Sequence, residues 1–260
     1  MNIVEALILA VVQGLTEFLP ISSSGHLILT PELFGWDLQG LGFDIAVHLG
    51  TLAAVIVYFR HDLLAMTRGI LDRGSADGRL ARQLLIASIP LGLAGIVSAD
   101  FVETTLRTPT VIAAASAAFG ILLYAVDRWR RGTRTERSLG LAEALLIGCG
   151  QALALIPGTS RSGITMTVAL ALGLSREAAG RYAFLLAIPA IGMAASWQLV
   201  QFARDPASID WLALILATLL SALTAFAAIA LFLKLIGRIG MAYFAAYRVL
   251  LALLIVYVLL

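Results

Sequence analysis

Glu17, His26 and Arg161 are ionisable residues set in stretches that are otherwise almost wholly apolar. A charge at the centre of a bilayer costs roughly 2.5 to 3.5 kcal/mol on insertion scales, so such residues mark binding or chemistry. Glu17 follows Gln13 by one helical turn, which puts both on one face. A carboxylate and an amide oxygen so placed can hold a hard cation, Mg²⁺ or Ca²⁺, whose remaining ligands are water and phosphate oxygens. The alternative is a pair that caps buried backbone groups. Ser22-Ser23-Ser24-Gly25-His26 opens one helix, and Ser160-Arg161-Ser162-Gly163-Ile164-Thr165 opens another. Free amides at helix starts, with hydroxyls beside them, attract an anion. The planar fork of Arg161 suits phosphate oxygens. Taken singly, either loop reads as an ordinary serine cap, with Arg161 a structural partner for Glu17. Carboxylate, imidazole and guanidinium together argue for a phosphate site.

His26 falls in the first turn of its helix, where it could serve as nucleophile on phosphorus or as general acid. Ser23 is the competing nucleophile, its proton passing to Glu17. The sequence leaves both open. His48 reads as a buried, hydrogen-bonded histidine with a supporting role beside the site still open, and His61 as an interfacial residue. Arg248 is expected either to partner an acidic side chain or to face a cavity. Glu5 and Glu143, near helix starts, are expected to be structural.

The elements that hold these residues follow from composition. Of 260 residues 60% are hydrophobic and 13% charged, against about 25% charged in soluble domains. Mean hydropathy is +0.96. No soluble core is large enough for that much apolar surface, and a single multi-helix membrane domain over 1–260 is expected. Segments 43–61, 83–103, 109–128, 178–202, 209–233 and 241–260 are long enough to span a bilayer. Regions 2–35 and 139–172 are also apolar, but Pro20 to Gly25 and Pro157 to Gly163 interrupt them. Each therefore reads as a re-entrant helix-loop-helix that returns to its own side. Such backbone is tolerated at membrane depth only if protein or a wet cavity surrounds it.

The interrupted regions repeat at an offset of 138 residues, with eight identities in the 21 positions from Glu5 to Gly25. Gln13 falls on Gln151, and Ser22, Ser24 and Gly25 fall on Ser160, Ser162 and Gly163. Three spans follow each region, dividing the chain into halves of about 1–132 and 133–260 with inverted topology. On that topology 14 of the 18 Lys and Arg residues share one side, while Arg107 and Arg204 stand opposite. The positive-inside rule makes the first side cytoplasmic. Both termini then lie outside, with Asp37, Asp44, Asp100, Glu103, Asp205 and Asp210 on the outer face.

A net charge of +2, clustered in loops, implies no nucleic-acid partner. The first residues lack the basic n-region of a signal peptide. Cys149 is the only cysteine, which excludes an intramolecular disulfide and a cysteine-based metal site. The bilayer itself is a partner, and a second copy of the chain is a candidate one.

At the two loops the sequence resembles the undecaprenyl pyrophosphate phosphatase family, also known as bacitracin-resistance proteins. Gln13-Gly14-Leu15-Thr16-Glu17-Phe18-Leu19-Pro20, with Ser22 to His26, matches its first motif, and Pro157-Gly158-Thr159-Ser160-Arg161-Ser162-Gly163-Ile164-Thr165 its second. The likeness spans the chain. It implies a bacterial inner-membrane enzyme that removes the terminal phosphate of undecaprenyl diphosphate with a divalent cation, returning the monophosphate carrier to cell-wall synthesis. It further implies that Glu17 and His26 are catalytic, that Ser23 is catalytic or binds phosphate, and that Arg161, Ser160 and Thr165 grip the diphosphate. Ser22, Ser24, Gly25, Ser162 and Gly163 complete the expected binding loops. Some members carry Glu where this chain has Gln13, which weakens the cation site expected there. A second class remains open: paired broken helices are also a transporter or lipid-flippase design. The Glu17, His26 and Arg161 set argues against it, since a carrier of anions needs no nucleophile or base.

Overall fold

The computed structural model describes residues 2–37, 40–72, 74–130, 132–204 and 210–259. Met1, Arg73, Arg131, the outer acidic residue Asp205, the side chain of Arg204, and the span ends Ile209 and Leu260 lie outside that description. The described residues are all-α. Helices α1 (Ile3–Thr16) and α2 (Ser23–Phe34) form the first interrupted region, and α7 (Leu141–Ala152) and α8 (Arg161–Ala171) the second. Between and after them come α3 (Leu41–Tyr58), α4 (Arg60–Gly69), α5 (Ala76–Phe101), α6 (Pro109–Trp129), α9 (Arg176–Arg204), α10 (Trp211–Ile239) and α11 (Ala242–Leu259). Among the described residues six helices are long and apolar enough to cross a membrane: α3, α5 with its π-helical extension to Leu106, α6, α9, α10 and α11.

Local chemistry sets the ends. Asn2 caps α1 by accepting from Val4 N, while Glu5 reaches back to Asn2 N. Glu143 does the same for Gly140 N at the start of α7. Both glutamates are capping residues, as expected. The guanidinium of Arg134 also grips Glu143 and holds its carboxyl down to about 2. One segment departs from the sequence reading: the stretch between the expected spans 43–61 and 83–103, which that reading leaves outside any helix, contains α4 and the first turns of α5. Polar residues on α4 concealed it from a search for apolar spans. The helix is held by Asp62, which accepts from Arg181 at 2.7 Å, and by burial of Met66.

Helix α9 runs through the core, with Tyr182, Phe184 and Leu186 fully buried, and packs on α3, α5 and α8. Helix α10 packs on α1 and α3, α5 on α7, and α11 on α6. The outward faces are apolar; Val97, for example, is 88% exposed. Exposed side chains of that kind suit lipid rather than water. Basic loop residues are tied into the fold: Arg176 donates to both oxygens of Asp127 at 2.6 and 2.8 Å, and Arg137 pairs with Asp77 at 2.7 Å.

Without a hydrophobic force between helices inside lipid, small residues that allow close approach decide packing. A Cβ on Gly14 would stand 2.6 Å from the Ser221 carbonyl oxygen of α10. Gly148 of α7 is tighter still against Ala87 of α5. Gly148→Ala is therefore expected to destabilise the protein by about 1 to 3 kcal/mol. A thermal melt in detergent checks this, with Gly192→Ala, whose Cβ meets nothing within 4 Å, expected to melt like the parent.

Candidate active site

The first chain break sits between α1 and α2. Glu17 directly follows α1, and a glutamate there keeps its carboxylate beside Gln13, one turn back. Ser22 takes φ 70° and Ser160, in the second break, φ 67°; among the described residues these are the positive-φ residues other than glycine. Strained backbone of this kind persists only where surrounding structure holds it, and it clusters at functional sites. Both serines also bond a neighbour two residues on: Ser22 Oγ lies 3.2 Å from Ser24 Oγ, and Ser160 Oγ 3.3 Å from Ser162 Oγ.

The two breaks touch. Arg161 Nη2 donates to Glu17 Oε1 at 2.8 Å, Ser162 Oγ to the Leu19 carbonyl at 2.9 Å, and Gly158 N to Ser24 Oγ at 3.4 Å. Glu17 is the point of convergence. Its Oε2 accepts from Ser23 Oγ at 2.8 Å and from Gln13 Nε2 at 2.9 Å, and faces His48 Nε2 at 4.0 Å. Its side chain is only 7% exposed, so each of these donors offsets the cost of burying a carboxylate. A cavity of about 250 Å³ opens here, lined on its polar side by Glu17, Ser22, Ser23, Ser24, His48, Ser160 and Arg161, with Leu91, Leu155 and Ile191 on its apolar side.

The expected site residues separate into two groups. Glu17, Ser22, Ser23, Ser24, Ser160 and Arg161 line the cavity, and Gln13 supports it from behind. His26, Gly25, Ser162, Gly163 and Thr165 do not line it. Thr165 is fully buried and donates to the Arg161 carbonyl of its own helix at 2.8 Å. Gly25 lies against Leu251, and Gly163 against Arg248 and Ser160. His26 is turned toward α11: Nδ1 lies 2.8 Å from the Ser22 carbonyl and Nε2 2.6 Å from the Tyr247 hydroxyl, with the rings stacked. A carbonyl can only accept, so Nδ1 carries the proton and neutral His26 accepts from Tyr247 through Nε2.

Arg248 corrects an expectation. It neither pairs with an acid nor lines the cavity, although it is fully buried. Its guanidinium donates instead to the carbonyls of Ser116, Gly158 and Thr159 at 3.0, 2.9 and 2.7 Å, pinning the second break to α6. The carbonyls of a break lack helical partners, and a buried Arg in the last helix supplies them. Tyr247 carried no signal in the sequence, being one aromatic among many lipid-facing ones.

Oxygen donors for a cation are present in part. Gln13 Oε1 is buried and unpartnered beside the Glu17 carboxylate. Mg²⁺ is bound by one or two carboxylates and otherwise by water and substrate phosphates; among the described residues no group of three or more His, Cys, Asp or Glu side chains could hold a metal ion.

Fold and site together define a polytopic helical membrane protein with a polar cavity between two broken helical regions. Residues 6–254 match the family described as bacitracin resistance protein BacA, and the chain belongs to that family. It is 51% identical over 259 residues to undecaprenyl-diphosphatase 2 of Stutzerimonas stutzeri, covering 96% of each chain. It is 48% identical to the undecaprenyl-diphosphatase of Teredinibacter turnerae over 98% of each, and 49% identical to that of Nitrosococcus oceani over 99% of each.

Arg248→Met leaves three buried carbonyls without donors and is expected to cost about 2 kcal/mol or more. Amide exchange should rise in the segment 157–163 while α3 keeps its protection. Unchanged protection of that segment would show that the arginine does not hold it.

Proposed function

We propose that this chain hydrolyses undecaprenyl diphosphate to undecaprenyl phosphate and inorganic phosphate, recycling the lipid carrier for peptidoglycan synthesis and conferring bacitracin resistance. The supporting observation is the convergence of Ser23 and Arg161 on Glu17 inside one cavity between the starts of α2 and α8. Family membership and the relatives' activity support the same reading. A carrier has no use for a hydroxyl hydrogen-bonded to a buried carboxylate, and the transporter reading is not favoured.

Phosphoryl transfer asks mainly for positioning and charge neutralisation. In the proposed sequence Arg161 Nη1, buried and unpartnered, takes a phosphate oxygen, joined by amides at the starts of α2 and α8. Ser23 Oγ attacks the terminal phosphorus while its proton passes to Glu17 Oε2. The Oγ–P bond forms and the bond from that phosphorus to the bridging oxygen breaks, releasing the monophosphate lipid. Water then attacks the phosphoserine, and Oγ recovers a proton. Ser23 is preferred to His26 as nucleophile because it lines the cavity, whereas Tyr247 occupies His26 Nε2. Gln13 and Glu17 would hold the divalent cation, Mg²⁺ or Ca²⁺, which when bound neutralises phosphate charge.

The inverted repeat and the re-entrant course of 2–35 and 139–172 belong to the same proposal. Reciprocal packing supports them: α1 lies on α10 as α7 lies on α5, and α2 on α11 as α8 on α6. So do the paired serines and the capping glutamates at the repeat offset. The proposed orientation has both termini outside a bacterial inner membrane, and the clustering of basic residues in the loops of one side supports it.

Phosphate release from a long-chain polyprenyl diphosphate tests the activity. Glu17→Ala and Arg161→Ala are each expected to lower it by about 10²-fold or more; undiminished release from either would overturn the assignment. A trapped phosphoenzyme should map to Ser23, and mapping to His26 would reverse the nucleophile. Impermeant labels should reach both termini from outside intact cells.

A further inference from the structure

His48 is the ionisable group lining the cavity that this reaction scheme does not use. It rises from α3, which packs on α10, α9 and α1, and its ring is held at one end: Nδ1 lies 2.7 Å from the carbonyl of Asp44. That carbonyl accepts only, so Nδ1 must bear the proton, leaving the neutral ring's lone pair on Nε2. Nε2 faces Glu17 Oε2 at 4.0 Å. In that neutral form two acceptors face each other, and either a proton on Nε2 or a bound cation has to bridge them. Imidazole with Nδ1–H on a backbone carbonyl and Nε2 free is the arrangement that metal-binding histidines adopt, because the carbonyl fixes the tautomer and raises the basicity of the ligating nitrogen.

Gln13 completes the set. Its Nε2 lies 2.9 Å from Glu17 Oε2, and its Oε1 is buried without a partner. Half a turn of the amide exchanges those atoms and brings the orphaned oxygen beside the carboxylate. Two ligands of one ion bound at about 2.1 Å stand about 3 to 4 Å apart. The 2.9 Å and 4.0 Å separations fall at the ends of that range.

The geometry points to His48 as a third protein ligand, through Nε2, of the cation held by Glu17 and Gln13. A nitrogen donor beside two oxygens shifts preference from Ca²⁺ toward first-row ions such as Mn²⁺. This rests on the phosphatase reading only for its purpose, since binding can be read without turnover.

Mn²⁺ is its own probe. Pulsed EPR of the full-length protein in detergent, loaded with Mn²⁺, should show ¹⁴N modulation from one imidazole. The modulation should vanish in His48→Gln and persist in His26→Gln. Calorimetry should give Mn²⁺ binding weakened by about 10- to 100-fold in His48→Gln, with Ca²⁺ binding changed less. Bound Mn²⁺ without nitrogen coupling in the parent, coupling that survives in His48→Gln, or no Mn²⁺ binding at all would overturn the assignment. Phosphate release without added Mn²⁺ would still report on the phosphatase reading by itself, so failure of one is distinguishable from failure of the other.

Discussion

A buried carboxylate has to be matched by donors, and the rest of the molecule is arranged around supplying them to Glu17. Helix α1 brings Gln13 from one turn away, the first break brings Ser23, and the second break, 144 residues on, brings Arg161. Removing one partner of such a pair leaves an uncompensated buried charge, at a cost of about 3 to 5 kcal/mol. The ion pair therefore fixes the two breaks against each other. That contact in turn defines the cavity.

The breaks are stable only because the scaffold satisfies backbone that helices would otherwise satisfy for themselves. Arg248 supplies donors to the second break from α11, and Ser162 supplies one to the first through the Leu19 carbonyl. Close helix contacts at Gly14 and Gly148 bring the broken segments into the bundle without a gap. Strain at Ser22 and Ser160 is the residual cost, and it falls where the loops turn their amides and hydroxyls toward the cavity.

Much of this was legible in the sequence because lipid imposes strong patterns. The six spans matched to within a few residues at most ends, though α5 starts seven residues earlier and α10 ends six later than expected. Gln13 and Glu17 could be paired from their spacing alone, while the Arg161–Glu17 contact stood in the sequence only as the alternative to a phosphate grip by Arg161. Three features could not be read. Helix α4 lies in a polar stretch whose period is masked by charges, and its stability comes from the distant Arg181. The partners of Arg248 are backbone carbonyls, which no side-chain pattern encodes. The orientation of His26 away from the cavity and of His48 into it depends on rotamers and on Tyr247, 221 residues away. The sequence made His26 the candidate for chemistry and His48 a supporting residue; tertiary contacts reverse which of the two faces the cavity.

The account stands on the Glu17–Arg161 contact as the lock between the two broken helices. A double-mutant cycle on folding stability in detergent, with Glu17→Gln, Arg161→Met and the double variant, measures that contact directly. Each single change should be strongly destabilising and the double variant little worse than either, giving a coupling of about 2 kcal/mol or more. Additive losses, with no coupling beyond error, would contradict it.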